Sequence, residues 1–140
     1  MRRRFAAAIA LVFAAGCAGG PEDAQVSGRV TLDGRPLAEA RVEFQPIGSK
    51  ENPNPGFGSY GVTDADGRYS LMLIASPPRP GAVVANHRVA IRAKATQGNR
   101  PDDRRVSAAD VVPAKYNDKT GLTFQVKPGP NQADFELTSK

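Results

Sequence analysis

Few residues in this 140-residue sequence could carry out acid–base, nucleophilic or metal chemistry. The chain has one cysteine, Cys17, one histidine, His87, and one short carboxylate motif, DADG at 64–67. A zinc hydrolase needs at least two imidazoles at ligand spacing, and a nucleophilic hydrolase needs a base beside its nucleophile. The sequence has no second histidine and no G-x-S-x-G motif, so it predicts a non-enzymatic protein without a cofactor. A small hydrolase that depends on His87 is the least favoured of three function hypotheses.

The carboxylates of Asp64 and Asp66 begin like a calcium loop of the form D-x-D-x-D-G. The third carboxylate is missing, however, and so is the glutamate that would follow the glycine. Calcium takes six to eight oxygen ligands, more than this stretch offers. The motif therefore favours a tight turn with positive φ at Asp66 and Gly67. A weak calcium site on Asp64 and Asp66 is the alternative.

The segment before Cys17 has the organisation of a secretory signal. Three arginines at positions 2–4 precede an apolar run at 5–15, and small residues follow it. This run is shorter than the roughly 20 apolar residues that cross a bilayer, and it matches the apolar core of a signal peptide. A buried N-terminal helix is the alternative, although three arginines at its start and no polar stripe argue against it.

The four residues Ala14-Ala15-Gly16-Cys17 resemble the bacterial lipobox, with Ala14 where leucine is usual. The resemblance implies transfer of diacylglycerol to the Cys17 thiol and cleavage between Gly16 and Cys17. Two or more acyl chains hold a protein stably on a membrane. Ala18 stands where an aspartate would retain a lipoprotein in the inner membrane, which favours the outer membrane. An ordinary secretory leader that leaves a free thiol on Cys17 is the alternative.

Removal of this leader changes the charge of the chain. The full sequence has 19 Lys and Arg against 14 Asp and Glu, and without the three leader arginines the numbers are 16 and 14. A net charge of +2 gives little electrostatic support for nucleic-acid binding, so none is expected. The predicted organisation is a signal peptide at 1–16, a flexible lipidated tether at 17–24 and one domain at 25–140.

Apolar residues in the mature chain recur every second position. This period predicts strands with one buried and one exposed face, packed as antiparallel sheets. Twelve prolines and fourteen glycines argue against long helices. His87 has the parity of the apolar positions 89 and 91 and is expected at the rim of the core. The inward-facing residues are predicted to be Val26, Val30, Leu32, Val42, Phe44, Tyr69, Leu71, Leu73, Val89, Ile91, Ala93, Leu122, Phe124, Val126, Ala133, Phe135 and Leu137.

Three segments in order, VSGRVTLDGRPLAEARVEFQP, GVTDADGRYSL and HRVAIRAK, resemble the carboxypeptidase regulatory-like domain, a transthyretin-like or prealbumin-like β-sandwich. The resemblance implies an all-β, seven-stranded Greek-key, Ig-like sandwich that serves as a binding or accessory module without catalytic residues. The closing strands resemble those of small bacterial envelope lipoproteins. The matching residues are Gly28, Val30, Asp33, Gly34, Pro36, Leu37, Ala40, Val42, Thr63, Asp64, Asp66, Gly67 and Tyr69.

Two loops, 48–58 and 96–110, are expected to form the contact surface, since long loops on a rigid sandwich often bind ligands. The favoured function is a lipid-anchored envelope protein with a structural or interaction role. The alternative is a carbohydrate- or polymer-binding module at the cell surface. In such a module, aromatic rings would contact sugars and arginines would contact an anionic polymer. A protein partner is a further alternative. Tyr116 is also expected to pack across the end of the sandwich and to bond backbone. The candidate binding residues are Phe57, Tyr60, Tyr116, Arg100, Arg104 and Arg105.

Overall fold

A computed structural model of the protein describes residues 22–93 and 112–140. The predictions on Gly16, Cys17, Arg100, Arg104 and Arg105 lie outside these residues. The described part contains thirteen short strands and one 3-10 helix, Ala114–Tyr116, and no helix in it is long and apolar enough to span a bilayer. The strands are β1 Asp23–Ala24, β2 Val26–Leu32, β3 Arg35–Pro36, β4 Arg41–Pro46, β5 Ser59–Val62, β6 Arg68–Ser70, β7 Met72–Leu73, β8 Arg79–Pro80, β9 Ala82–Val83, β10 Asn86–Arg92, β11 Thr123–Gln125, β12 Asn131–Gln132 and β13 Phe135–Leu137.

The strands form a β-sandwich-like arrangement. One sheet has the order β11-β10-β4-β5-β7-β8, and the second is centred on β2, which pairs with β12, β13, β3 and β6. Strands β1 and β9 pair separately. The predicted all-β class is confirmed. The predicted number of seven strands is wrong for the described residues, because the segment 68–73 is divided into β6 and β7 and the two-residue strands β1, β3, β8, β9 and β12 add to the alternating segments.

The core lies between the two sheets and follows the predicted alternation. Val42 and Phe44 on β4 are buried, whereas Arg41 and Gln45 beside them are exposed. The Phe44 ring lies 6.2 Å from the Phe135 ring of the second sheet, centroid to centroid. Burial of such side chains contributes a stabilising free energy of about 25 cal/mol per Å² of apolar surface removed from water. This contribution holds the two sheets together.

The segment 68–73, which alternation predicts as one strand, changes sheet at Leu71. Residues of β6 pair with β2, and residues of β7 pair with β5. The Leu71 N–H donates to the Val26 carbonyl at 2.9 Å, and the Leu71 carbonyl accepts from the Gly81 N–H at 2.8 Å. One alternating sequence therefore contributes a buried face to both sheets.

The last strands depart from the predicted antiparallel arrangement. Strand β13 pairs parallel with β2, with Phe135 opposite Val30, and β12 also pairs parallel with β2. The turn after β11 therefore carries the chain from one sheet to the other and does not close a hairpin. The Tyr69 hydroxyl donates to the Ala133 carbonyl at 2.6 Å and links β6 to the segment between β12 and β13.

The sandwich has two dissimilar ends. The hairpin end contains the turn at Asp33 and Gly34, both with positive φ, and the turn at 64–67. The dipeptide Asp-Gly is typical of such tight turns. The β1 end contains β1, β9 and the starts of β5 and β10. There the Val84 N–H donates to the Glu22 carbonyl at 2.7 Å. Paired β-structure thus begins at Asp23, within the segment 17–24 that the sequence predicts as tether.

Candidate functional site

The outer face of the six-stranded sheet carries an open groove of about 440 Å³. Alternate residues of β4 and β10 point away from the core, and this places three arginines along the groove. We call it the arginine groove after Arg41, Arg88 and Arg92. Asp118, from the turn after the 3-10 helix, and Ile74, which follows β7, also line it.

The antiparallel register brings the charges of the groove together. Arg92 lies opposite Arg41, and Ala90 lies opposite Glu43. Like charges on directly opposed residues destabilise a sheet, and Glu43 compensates for this. Its Oε1 accepts from Arg41 Nε at 2.6 Å, and its Oε2 lies 4.0 Å from an Arg92 Nη.

Asp118 supplies the second carboxylate of the groove. Arg92 donates to the Asp118 carboxylate, and Arg88 donates to the Asp118 backbone carbonyl at 3.3 Å. Buried Asn117 holds this turn in place, because its amide nitrogen donates to the Val112 carbonyl at 3.2 Å. Three guanidinium groups thus face two carboxylates, which leaves the groove with an excess of positive charge.

Tyr60 lies beside the groove. The Arg41 guanidinium carbon is 4.2 Å from the centre of the Tyr60 ring, a cation–π geometry. Tyr60 as a residue is 36% exposed. Phe57, which is 60% exposed, comes just before Gly58 of the groove wall. The structure therefore places two of the three predicted aromatic residues at or next to this surface.

Tyr116 lies elsewhere. Its hydroxyl accepts from the Thr138 N–H at 3.2 Å and is 3.3 Å from the Thr138 hydroxyl, next to the end of β13. These hydrogen bonds, together with the Lys115 ammonium nearby, lower the pKa of Tyr116. This arrangement matches the predicted structural role, in which the tyrosine packs at the end of the sandwich and bonds backbone.

Asp64 stabilises a turn. Its Oδ1 accepts from the N–H groups of Asp66 and Arg68 at 2.9 and 3.0 Å, and Gly67 has φ +76°. Within the turn at 64–67, positive φ is confined to Gly67, so the prediction of positive φ at Asp66 is wrong. Within residues 22–93 and 112–140, no three His, Cys, Asp or Glu side chains are grouped to hold a metal ion, and this geometry gives the calcium alternative no support.

His87 lies inside the core and not at its rim. Its side chain is fully buried, 5.6 Å from Phe44 between ring centres. Nε2 lies 2.7 Å from the Val83 carbonyl, so this nitrogen carries the proton and donates. Nδ1 has no partner among the described residues. Burial lowers the pKa of His87 and so favours the neutral ring. Burial also shields the ring from any substrate.

The outer face of the second sheet has another groove, of about 570 Å³. Arg29 and Arg68 line it, together with Asp134, whose carboxylate accepts from the Arg29 backbone N–H at 2.9 Å. The one aromatic residue that borders it, Tyr69, is buried. It therefore lacks the exposed ring that accompanies the arginine groove.

Alternation of the sequence identifies Arg41, Arg88 and Arg92 as outward-facing but does not mark them as a site. They become one site only through the register between β4 and β10. Position 118 gives no such signal, since Asp118 reaches the groove from a turn. The candidate loop 48–58 contains no strand and is largely exposed, as predicted. The other candidate loop, 96–110, lies outside the described residues.

No protein-family model matches the chain, and the search of curated proteins returned no match. Among solved structures, a DUF3823 family protein from Parabacteroides merdae ATCC 43184 is similar, with 17% sequence identity and a TM-score of 0.42. The alignment covers 85% of this chain and 47% of that one, so this chain spans about half the length of the protein it matches. These comparisons give no specific support to the carboxypeptidase regulatory-like family.

Proposed function

We propose that this protein is a non-enzymatic, lipid-anchored interaction module of the bacterial envelope, and that its ligand is an anionic polymer held in the arginine groove. One observation carries the proposal of a ligand. Arg41, Arg88 and Arg92 line one open groove, and the exposed ring of Tyr60 lies against the first of them.

The chemistry of the groove fits carboxylate, sulfate or phosphate groups on sugars. A guanidinium presents several N–H donors in a planar fork that matches such anions. The present partners of these arginines, Glu43 and Asp118, form exposed ion pairs, which contribute only about 0–1 kcal/mol each. A ligand anion can therefore replace them at low cost. An open groove also suits a polymer that runs along the sheet.

The proposed architecture follows the resemblance to carboxypeptidase regulatory-like domains, which serve as accessory or binding modules beside other domains. The lipobox-like segment supports an anchor at Cys17, and Ala18 favours the outer membrane. Anchoring would keep the arginine groove close to envelope polymers.

Binding can be tested with polygalacturonate, a carboxylated glycan, and with neutral dextran as the comparison. The full chain with Arg41→Gln and Arg88→Gln should bind polygalacturonate at least about tenfold more weakly than the wild type, since each substitution removes a charged hydrogen-bond donor. Binding by the wild type should also weaken as salt is added.

The matched control carries Arg29→Gln and Arg68→Gln, which remove the same charge from the outer face of the second sheet. Its affinity should stay close to that of the wild type. An equal loss in both double variants, equal affinity for dextran, or no binding at low salt would show that the arginine groove does not bind an anionic polymer.

The anchor is tested separately, by intact mass spectrometry of the membrane-extracted protein. The expected mass lacks residues 1–16 and includes diacylglycerol and one further acyl chain, whereas Cys17→Ser should carry neither. A soluble wild-type protein with an unmodified Cys17 would overturn the anchor. The binding experiment with polygalacturonate would still test the arginine groove.

A further inference from the structure

The chain enters the folded domain at the β1 end. The Glu22 carbonyl accepts from Val84, two residues before the first residue of β10, Asn86. Five residues, 18–22, separate Cys17 from the start of β1. A chain spans at most about 3.6 Å per residue, so the six steps from Cys17 to Asp23 reach about 22 Å. An anchor at Cys17 therefore holds the β1 end within about 22 Å of the lipid surface.

Three large apolar side chains are exposed at this same end. Ile47, Phe57 and Ile74 are exposed by 47, 60 and 53%. Register places them together: the Ile47 N–H donates to the Asn86 carbonyl, and the Ile74 N–H donates to the Gly58 carbonyl, both at 2.8 Å. Ile47 follows β4, Ile74 follows β7 and Phe57 precedes β5, all at the end of the six-stranded sheet that lies nearest β1.

Among the described residues, the opposite end offers no comparable surface. Its turns present Asp33, Asp64 and Asp66 to solvent. Of the large exposed apolar residues that the structure describes, Val62 is the nearest to this end, and it lies on the outer sheet face opposite Arg41. Exposed apolar clusters on a soluble domain usually mark a contact surface.

We infer that the β1 end docks on the lipid surface, with Ile47, Phe57 and Ile74 entering the headgroup boundary. This inference goes beyond polymer binding and rests on the proposed anchor only for its occurrence in the cell. Arg79 pairs with Asp23 at 2.8 Å at this end, so the arginine is already neutralised. The exposed Lys50 and Glu51 of the loop 48–58 have opposite charges, so the contact depends mainly on the apolar side chains.

Docking at this end also orients the arginine groove. The strands of the six-stranded sheet run from the β1 end to the hairpin end, so the groove extends away from the membrane. Ile74 stands at its membrane-proximal side, and Arg92 stands toward the hairpin end. A polymer above the membrane would thus meet the arginines without displacing the docked loops.

The chain contains no tryptophan, so single substitutions provide a fluorescent probe without background. Phe57→Trp and Ile74→Trp report on the β1 end. The matched control is Val62→Trp, because Val62 is 55% exposed, close to the 53% of Ile74, but lies toward the hairpin end. The mature chain is coupled through its Cys17 thiol to a maleimide lipid in phosphatidylethanolamine and phosphatidylglycerol vesicles, so that the test does not depend on natural acylation.

In vesicles containing brominated lipid, tryptophan at positions 57 and 74 should be quenched at least about twofold more than tryptophan at 62, with a blue-shifted emission. Adding Ile47→Ser to Phe57→Trp should reduce the quenching while thermal melts show a folded domain. Equal quenching at all three positions, no quenching, or quenching at only one of positions 57 and 74 would overturn the docking. The mass spectrum of the native protein decides the anchor independently.

Discussion

Among the residues that the structure describes, the hairpin end satisfies its buried polar side chains, whereas the β1 end does not. Thr63 and Asn117 are buried toward the hairpin end, and both hydrogen-bond to backbone. At the β1 end, Asp23 Oδ1, Ser59 Oγ and His87 Nδ1 are buried without a partner among the described residues. An unsatisfied buried polar atom costs about 1–3 kcal/mol.

This difference assigns the ends different roles. The hairpin end fixes the register of β2, β3 and β4 through turns and side-chain hydrogen bonds and so contributes mainly to stability. The β1 end, where the chain enters the domain, has buried polar atoms without hydrogen-bond partners and exposed apolar side chains. Features that folding alone disfavours are concentrated where we infer contact with a membrane.

The largest predicted effect disrupts the hairpin end. Gly67 and Gly34 both have positive φ, +76° and +79°. A Cβ on Gly67 would overlap the Val30 carbonyl oxygen, whereas nothing lies within 4 Å of a Cβ on Gly34. We expect Gly67→Ala to lower the free energy of unfolding by about 3 kcal/mol, and Gly34→Ala by about 1 kcal/mol, in urea titrations. Equal losses would show that backbone strain alone decides both sites.

A second prediction compares one hydroxyl at each end. The Thr63 Oγ1 accepts from the Ala40 N–H at 2.8 Å and donates to the Leu37 carbonyl at 2.6 Å. Thr63→Val leaves both groups unpaired and should cost about 2 kcal/mol in the same titrations. The matched change Ser59→Ala should cost less than about 0.5 kcal/mol or stabilise, because it removes a buried hydroxyl that has no partner. A larger cost for Ser59→Ala would remove the contrast between the ends.

The third prediction concerns the acid sensitivity of the β1 end. Burial lowers the pKa of His87 below its ordinary value of 6.5, so the unfolded chain binds a proton at a higher pH than the folded chain does. Its contribution to stability is therefore complete above about pH 6.5 and is lost as the pH falls toward the folded pKa. Thermal melts at pH 7 and pH 5 should show a larger loss for the wild type than for His87→Gln, which cannot be protonated. Equal losses would mean that carboxylates account for the acid sensitivity.

Alternation in the sequence predicted the two faces of most strands. Val42 and Phe44 are buried and Arg41 is exposed because side chains of a strand point to opposite sides. It could not predict that one alternating segment changes sheet at Leu71, or that β13 joins β2 in parallel. Both depend on pairing with residues distant in sequence, and local alternation is the same whichever neighbour a strand takes.

The candidate site was only partly predictable for the same reason. Phe57 and Tyr60 could be proposed because exposed aromatic residues in and after a long loop favour binding. The arginines of the groove are 47 or more residues apart between β4 and β10, and only the register unites Arg41 with Arg92. The position of His87 in the core likewise depends on β9, whose Val83 carbonyl accepts the hydrogen bond from His87 Nε2.

By itself, the sequence determined the all-β class, the buried face of most alternating segments and the turn at Asp33 and Gly34, since these depend on side-chain period and local backbone preference. Tertiary structure alone decided which strands are neighbours, where the arginines meet, and that Ile47, Phe57 and Ile74 share the end at which the chain enters. Such arrangements arise from long-range hydrogen bonds and packing between segments, which no local pattern specifies.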